Sequence, residues 1–417
     1  MRPAMRVCAL ALLLACHGAA PAGTGAPSSG GGPDAPGSPG EAPGGAAVTF
    51  ERLDDGGDCA GVVPARAVEP VVVRRVPAPG EACTGGTTDG TGSLALGARG
   101  PSGATRWQVL GPDGAPRGGF SADAPLLAQP SGWHAIASTG AAGGEDAAAE
   151  LLAVGPDGRV LRRELVTPDP SAAVYPRWSL GADPAGGSLA AVRSTALAGN
   201  HWSSVVALRR DAAGGPAWPA AARVWTVPSA LEPMFLAGGV STRGDALVLS
   251  QRSAFLDVSW LEPRDGAPVA GAAAEQAEPS APVVGTSLAP VIELAPLLDG
   301  GLAVRADGTF RRAYAHRATT SSALPPWLAE RAVWSIRFTR GNAAYAALPP
   351  AGQVSADCTQ RIDLLSASGR LCGRAVLREE GGGCTTGAVD QGWDGTVVQQ
   401  SGKDACTFLL WPRLLAR

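Results

Sequence analysis

Apolar residues along most of the chain come in short runs that alternate with polar ones and break at glycine, the period-two pattern of half-buried strands. GTGSLALGAR near Gly92, SGWHAIAST near Gly132, GGSLAAVRS near Gly187 and RGDALVLSQ near Gly244 open such runs, and DGGLAVRAD near Gly301, RGNAAYAAL near Gly341 and WDGTVVQQS near Gly395 follow. These seven glycines lie 40, 55, 57, 57, 40 and 54 residues apart. A second element follows five of them by 22 to 28 residues: VLGPDGAPRG at Gly114, AVGPDGRVLR at Gly158, ALRRDAAGG at Gly214, WLEPRDGAPV at Gly266 and LLSASGRLCG at Gly369. A turn of Asp or Ser with Gly between two apolar runs is a hairpin signal, so each repeat predicts two hairpins, or four strands.

A repeat of that length, recurring seven times, predicts an all-β chain folded as a single β-propeller of seven four-stranded blades. A pair of β-sandwiches is the competing architecture. The repeats loosely resemble those of quinoprotein-like and WD40-like propellers over residues 85–417, with Asp211 to Trp218 nearest to the quinoprotein-like turn and one residue short of it. The fifth repeat departs from the pattern, because Asp307-Gly308 follows Gly301 by seven residues and Thr319 to Pro326 reads as loop. The seventh repeat lacks a closing strand, and an N-terminal segment, Val48 to Phe50 or Val68 to Arg75, is expected to supply it. Helix is scarce, its main candidate being Ala272 to Gln276.

Ahead of the repeats, Arg2 and Arg6 precede the apolar run Val7 to Ala15. Nine residues cannot span a bilayer and match the core of a signal peptide, which assigns residues 1–15 to a cleaved leader. The end of that run, Leu13-Leu14-Ala15-Cys16, resembles the lipobox of bacterial lipoproteins. The resemblance implies that Cys16 is acylated and becomes the mature N-terminus; an ordinary signal peptide with an incidental cysteine is the alternative. His17 after the cysteine, in place of aspartate, points to the outer membrane of a Gram-negative envelope. Residues 17–47 are almost wholly Gly, Ala, Pro, Ser and Thr, a composition that buries no apolar surface, so 16–47 reads as a lipidated cysteine on a solvated tether reaching roughly 30 Å. Residues 48–417 then form the folded body.

Charge and cysteine content narrow the setting. The net charge is −3, and losing Arg2 and Arg6 with the leader makes it −5. One lysine, Lys403, and scattered arginines offer no basic face, which argues against nucleic acid as a partner. Cys59, Cys83, Cys358, Cys372, Cys384 and Cys406 remain after Cys8 and Cys16 are set aside. An even set in an exported chain predicts three disulfides. Nearness along the chain suggests Cys59 with Cys83, Cys384 with Cys406 and, by elimination, Cys358 with Cys372.

Candidate chemistry is sparse. No serine has the flanking glycines of a hydrolase elbow, and Gln400 to Asp404 fails as a phosphate loop, leaving Lys403 as a turn residue. His134, His201 and His316 lie far apart, and no CxxC occurs. Asp89, Asp183, Asp245, Asp299 and Asp394 recur near the first turn of their repeats. Facing one channel they could hold a calcium-like cation; alternatively each serves its own turn. Asp307 to Phe310 lacks one residue of the sialidase aspartate box. Among eleven tryptophans, Trp107, Trp202, Trp225, Trp260, Trp334 and Trp411 lie in or beside strands, where their rings pack between sheets. The expectation is therefore a monomeric, lipid-anchored envelope propeller with no cofactor, no metal and no catalytic residues. It would bind an envelope partner, protein or glycan, and touch the membrane through its anchor alone. The alternative is a propeller hydrolase or lyase acting on glycans or lactones through an axial cation, which requires at least three of those aspartates and histidines to meet in one pocket.

Overall fold

A computed structural model describes residues 45–415 apart from 102, 124, 140–147, 167–176, 197–201, 228–235, 253–254, 270–292, 307–308, 316–325, 330–334, 340–343, 350–358 and 380–386. Two strands, β1 (Ala46–Arg52) and β2 (Val71–Arg74), come before the first sheet. That sheet holds β3 (Ala82–Thr88), β4 (Leu94–Arg99), β5 (Thr105–Leu110) and β6 (Pro116–Ala122). The second holds β7 (Leu127–Ala128), β8 (Trp133–Thr139), β9 (Ala148–Val154) and β10 (Val160–Leu165), and the third β11 (Arg177–Ala182), β12 (Ser188–Ala196), β13 (Trp202–Arg210) and β14 (Ala222–Val227). A fourth contains β15 (Leu236–Val240), β16 (Ala246–Arg252) and β17 (Phe255–Leu261), and a fifth β18 (Glu293–Pro296), β19 (Gly301–Ala306) and β20 (Thr309–Ala315). After the single-turn helix α1 (Pro326–Ala329), the sixth is built from β21 (Ser335–Thr339), β22 (Ala344–Leu348), β23 (Gln360–Leu365) and β24 (Leu371–Glu379). The seventh contains β25 (Val389–Gln391), β26 (Val397–Gln400) and β27 (Thr407–Trp411). All pairing among the described strands is antiparallel between sequence neighbours, except where the chain start joins the chain end.

The glycine-centred runs read from the sequence fall on this plan. Gly92, Gly132, Gly187, Gly244 and Gly395 occupy the connection between the first and second strands of their sheets, and Gly301 begins the second strand of its own. Gly341 lies outside the described residues, between β21 and β22. Gly132 shows why glycine is needed: its φ is +82°, and a Cβ there would lie 1.9 Å from the Val154 carbonyl oxygen. The second hairpins repeat one side-chain bond. Asp113, Asp157, Asp211 and Asp265 each accept a hydrogen bond through Oδ1 from the backbone N–H two residues on, at 2.9 to 3.1 Å, which closes an Asx turn. In the fourth and fifth sheets, three strands rather than the expected four lie among the described residues. The helix candidate Ala272 to Gln276 falls outside them, and α1 begins at Pro326, the last residue of the segment Thr319 to Pro326 that reads as loop.

The core lies between successive sheets. Trp107, Phe120, Leu126 and Trp133 pack the first sheet on the second; Ile136, Leu151, Leu180 and Val192 the second on the third; Leu189, Trp218, Val240 and Leu261 the third on the fourth. Trp260 with Leu302 joins the fourth to the fifth, and Leu297 with Tyr345 the fifth to the sixth. Ile362 with Trp411 joins the sixth to the seventh, and Phe408 with Leu96 the seventh to the first. Among the described residues, the fully buried tryptophans are Trp133, Trp218, Trp260 and Trp411. Each ring fills an inter-sheet gap that smaller side chains would leave open.

The chain start is woven into the chain end. β2 lies antiparallel on β27, Val71 opposite Leu410, and so becomes the outer strand of the seventh sheet. β1, which begins two residues ahead of the expected body boundary at 48, pairs along its whole length with β24 as a fifth strand of the sixth sheet. Of the two N-terminal segments expected to complete the seventh repeat, Val68 to Arg75 contains the strand that does so and Val48 to Phe50 serves its neighbour. The expected disulfide pairing is overturned: Cys59 bonds Cys372 and Cys83 bonds Cys406, with Cα atoms 5.3 and 5.2 Å apart. Strand pairing explains the correction, because β1 brings the Cys59 loop beside β24 and β2 brings the start of β3 beside β27. Cys358 and Cys384 lie outside the described residues.

Candidate functional site

One strand from every sheet, the first in chain order once β1 and β2 are set aside, contributes to a single cavity of about 610 Å³. Thr84 to Thr87 come from β3, Leu127 and Ala128 from β7, Leu180 to Ala182 from β11 and Ala237 and Gly238 from β15. Leu294 and Pro296 of β18, Ile336 and Arg337 of β21 and Val389 to Gln391 of β25 complete the set. Its volume lies within the usual range for small-ligand sites. Its wall is largely apolar, and its charged groups among the described residues are Arg337 and Asp390, whose Nε and Oδ1 are 3.7 Å apart with side chains 40% and 37% exposed. Gln391 and Trp393 also line it.

The sequence candidates for a metal or acid–base site are elsewhere. Neither His134 nor any of Asp89, Asp183, Asp245, Asp299 and Asp394 lines the cavity. Asp89 is buried, with Oδ1 accepting from the N–H groups of Thr91 and Ser93 at 2.9 Å and Oδ2 from Gly132 of the second sheet at 2.6 Å. Burial pushes this carboxyl above the ordinary carboxylate range, while those donors pull it back. Asp183 accepts from Arg209 Nη2 at 2.6 Å and from the Ala185 N–H at 2.9 Å. Asp299 accepts from the Gly301 N–H at 2.8 Å, and Asp394 from Thr396 N–H at 2.9 Å and Thr88 Oγ1 at 3.0 Å. Turn chemistry therefore accounts for Asp89, Asp183, Asp299 and Asp394. Asp245 is buried, and its carbonyl accepts from the Ser241 N–H at 2.8 Å across the turn. Among the described residues, no three His, Cys, Asp or Glu side chains are grouped to hold a metal ion.

His134 is buried in β8, with Nδ1 2.9 Å from Ser188 Oγ. Burial pushes its pKa down to about 4, opposed by the Asp211 carboxylate and helped by Arg210, so the ring is neutral at neutral pH. A neighbouring contact joins Arg210 to Glu164. His201, His316, Asp307 and Cys16 lie outside the described residues. Lys403 is exposed in the bend between β26 and β27, its N–H on Ser401 Oγ at 3.1 Å.

Polar bonds also cross each inter-sheet boundary. Gly132 N–H reaches Asp89 from the second sheet to the first, and Gly187 N–H of the third reaches Gln129 Oε1 of the second at 2.6 Å. Arg209 Nη1 of the third donates to the Gly244 carbonyl of the fourth at 2.6 Å, and Thr242 Oγ1 of the fourth to Leu297 of the fifth at 2.9 Å. Leu298 N–H of the fifth meets Tyr345 Oη of the sixth at 2.6 Å, Gln399 Nε2 of the seventh meets Gln360 Oε1 of the sixth at 2.7 Å, and Trp393 N–H of the seventh meets the Thr88 carbonyl of the first at 3.1 Å.

No protein-family profile matches the chain, and no curated protein does. Solved structures give a distant similarity to β-propeller domains. The Dos1 propeller has a TM-score of 0.34 at 10% identity, covering 80% of this chain and 78% of that one. A Mycobacterium tuberculosis puromycin-hydrolyzing peptidase has 0.40 at 14%, covering 84% and 57%. Prolyl oligopeptidase B from Galerina marginata has 0.41 at 10%, covering 77% and 49%. The chain thus spans about half the length of each peptidase.

The sequence did not single out the residues that shape the cavity, namely Gly85, Arg337, Asp390, Gln391 and Trp393. Small side chains on short first strands carry no chemical signature, and the Arg337–Asp390 pair joins residues of different sheets.

Proposed function

We propose that the seven sheets are the blades of one closed seven-bladed β-propeller, and that the protein is a lipid-anchored, non-catalytic binding module of the bacterial envelope. The observation that carries the first part is the cavity to which every sheet contributes its first strand; seven cores and seven sets of polar bonds linking successive sheets, the seventh returning to the first, support it. Closure leaves no sheet face open, which suits a rigid platform. Binding rather than turnover is favoured because the titratable candidates in the described sheets are committed to turns or to packing, while the cavity has an apolar wall and one ion pair. The leader, Cys16 and the Gly/Ala/Pro tether support an anchor that holds this body clear of lipid, in the outer membrane. Partner identity then rests on the platform's surface and not on its fold.

Pulldown of residues Pro43–Arg417, which form one compact unit, from the organism's own envelope extract tests the binding role. A reproducible protein or glycan partner is the expected result. Calcium binding without a partner would favour the hydrolase reading instead. For the anchor, Cys16→Ser is expected to abolish fatty-acid labelling, and continued labelling would refute it.

A further inference from the structure

The first strands do not wall the cavity evenly. β7 is two residues long, between Pro125 and Pro130, whereas β3 on the adjoining first sheet has seven. Facing the cavity, β3 carries Thr84-Gly85-Gly86-Thr87. The two glycines differ. A Cβ at Gly86 would lie 2.7 Å from Leu96 Cδ2 and 3.2 Å from Val398 Cγ1, so packing explains that glycine. A Cβ at Gly85 would meet no atom within 4 Å. Its open side belongs to the cavity, whose wall includes Trp107, Leu126 and Leu127, the first two also part of the core shared by the first and second sheets. The result is an apolar recess, with room for a side chain that none of the described residues provides.

Backbone direction adds a second feature. Gly86 pairs with Leu96, and Asp89 N–H bonds the Ser93 carbonyl at the end of the same ladder. Alternation along an antiparallel strand then turns the N–H and C=O of Gly86 away from β4. β3 is an edge strand of its sheet, so this donor and acceptor are offered on the cavity side, one residue from the recess. An edge of this kind accepts another extended backbone. Charge sets the third condition. Arg337 and Asp390 are the charged groups of the described wall and are of opposite sign, so that wall has no net charge and a ligand bearing one would lose water without a net counter-charge to meet it.

We propose that the cavity binds an uncharged, apolar peptide segment, with one large apolar side chain in the recess beside Gly85 and the adjoining peptide bond paired with the Gly86 backbone. The proposal rests on the binding-module reading and names the chemistry of what is bound. The neutral Arg337–Asp390 pair selects against charged chain ends.

Three probes that share one ring test it against the full chain: N-acetylphenylalanine amide is neutral, N-acetylphenylalanine is an anion and phenylalanine amide is a cation. Saturation-transfer NMR, with quenching of tryptophan fluorescence alongside, is expected to show the neutral probe binding roughly tenfold more tightly than either charged one. Gly85→Phe fills the recess from within and is expected to abolish that binding while circular dichroism and the melting temperature stay at wild-type values. Arg337→Gln leaves the Asp390 carboxylate without its Arg337 partner and is expected to shift preference to the cation; this arm decides the matter if Gly85→Phe fails to fold. Equal binding of the three probes, no binding of the neutral one at millimolar concentration, or full binding by folded Gly85→Phe would each overturn the proposal. Envelope pulldown with Gly85→Phe separates the two readings. A partner retained at wild-type level keeps the platform and removes the cavity as its docking site, whereas probe binding without any wild-type partner keeps the cavity and removes the platform.

Discussion

Cys83, in the first strand of the first sheet, is bonded to Cys406, just before the last strand of the seventh, across 323 residues of sequence. The Arg75 N–H donates to the Cys406 carbonyl at 2.8 Å beside it, so a covalent and a backbone link hold the same junction. Cys59 and Cys372, 313 residues apart, do likewise for the sixth sheet.

Removing the junction bond with Cys83→Ser and Cys406→Ser together is expected to lower stability by about 3–5 kcal/mol, because cross-links across long loops restrict the unfolded chain most. Urea denaturation with and without reductant measures it: wild type loses stability on reduction, and the double variant loses less.

Glycine turns differ in what they tolerate. Gly132→Ala must absorb both a left-handed backbone and a Cβ 1.9 Å from the Val154 carbonyl oxygen, and is expected to cost several kcal/mol, roughly 3 or more. Gly114→Ala, with φ +74° but no atom within 4 Å of the new Cβ, is expected to cost about 1 kcal/mol. Chemical denaturation of the two variants side by side gives the comparison.

The Asp183–Arg209 pair, with side chains 5% and 11% exposed, joins a turn of the third sheet to the fourth through the Gly244 carbonyl. Arg209→Met takes the Arg209 guanidinium away from the buried Asp183 carboxylate and is expected to cost about 3–5 kcal/mol. Replacing both residues by apolar ones is expected to restore part of the loss, a sign of the pairing that a double-mutant cycle reads directly.

How much of this was legible in the sequence depends on range. Turn-forming Asp-Gly pairs act over four residues, so the hairpins at Gly114, Gly158 and Gly266 could be placed from local sequence alone, and the repeat followed. The strand partner of Val71 could be narrowed to the last repeat by counting strands. Disulfide partners could not be chosen locally, because Cys59 meets Cys372 only when β1 has found β24. The cavity was invisible for a different reason: much of its wall is Ala, Gly, Leu and Pro from strands as short as Leu127–Ala128, which leave no alternation to read, and its Arg337 and Asp390 come from different sheets.

Acidity gives a further test through His134. Its pKa is about 4 when folded, against 6.5 for the free side chain. Between those values the unfolded chain takes up a proton that the folded one refuses, so stability falls as pH drops from 6.5 towards 4, by up to about 3 kcal/mol, with no contribution at pH 7. His134→Gln keeps a hydrogen-bonding group near Ser188 and is expected to flatten that part of the profile. Urea midpoints at pH 7 and pH 4.5 for both proteins provide the readout.

The weaving of β1 and β2 onto β24 and β27 also governs the order of assembly. A chain released from its N-terminus delivers its earliest strands with no partners yet made, and more than 300 residues must arrive before either can dock. Contacts of such long range form slowly. The waiting ends expose unpaired backbone meanwhile, which makes timely oxidation and protection from neighbours a requirement of biogenesis and not merely of the finished molecule.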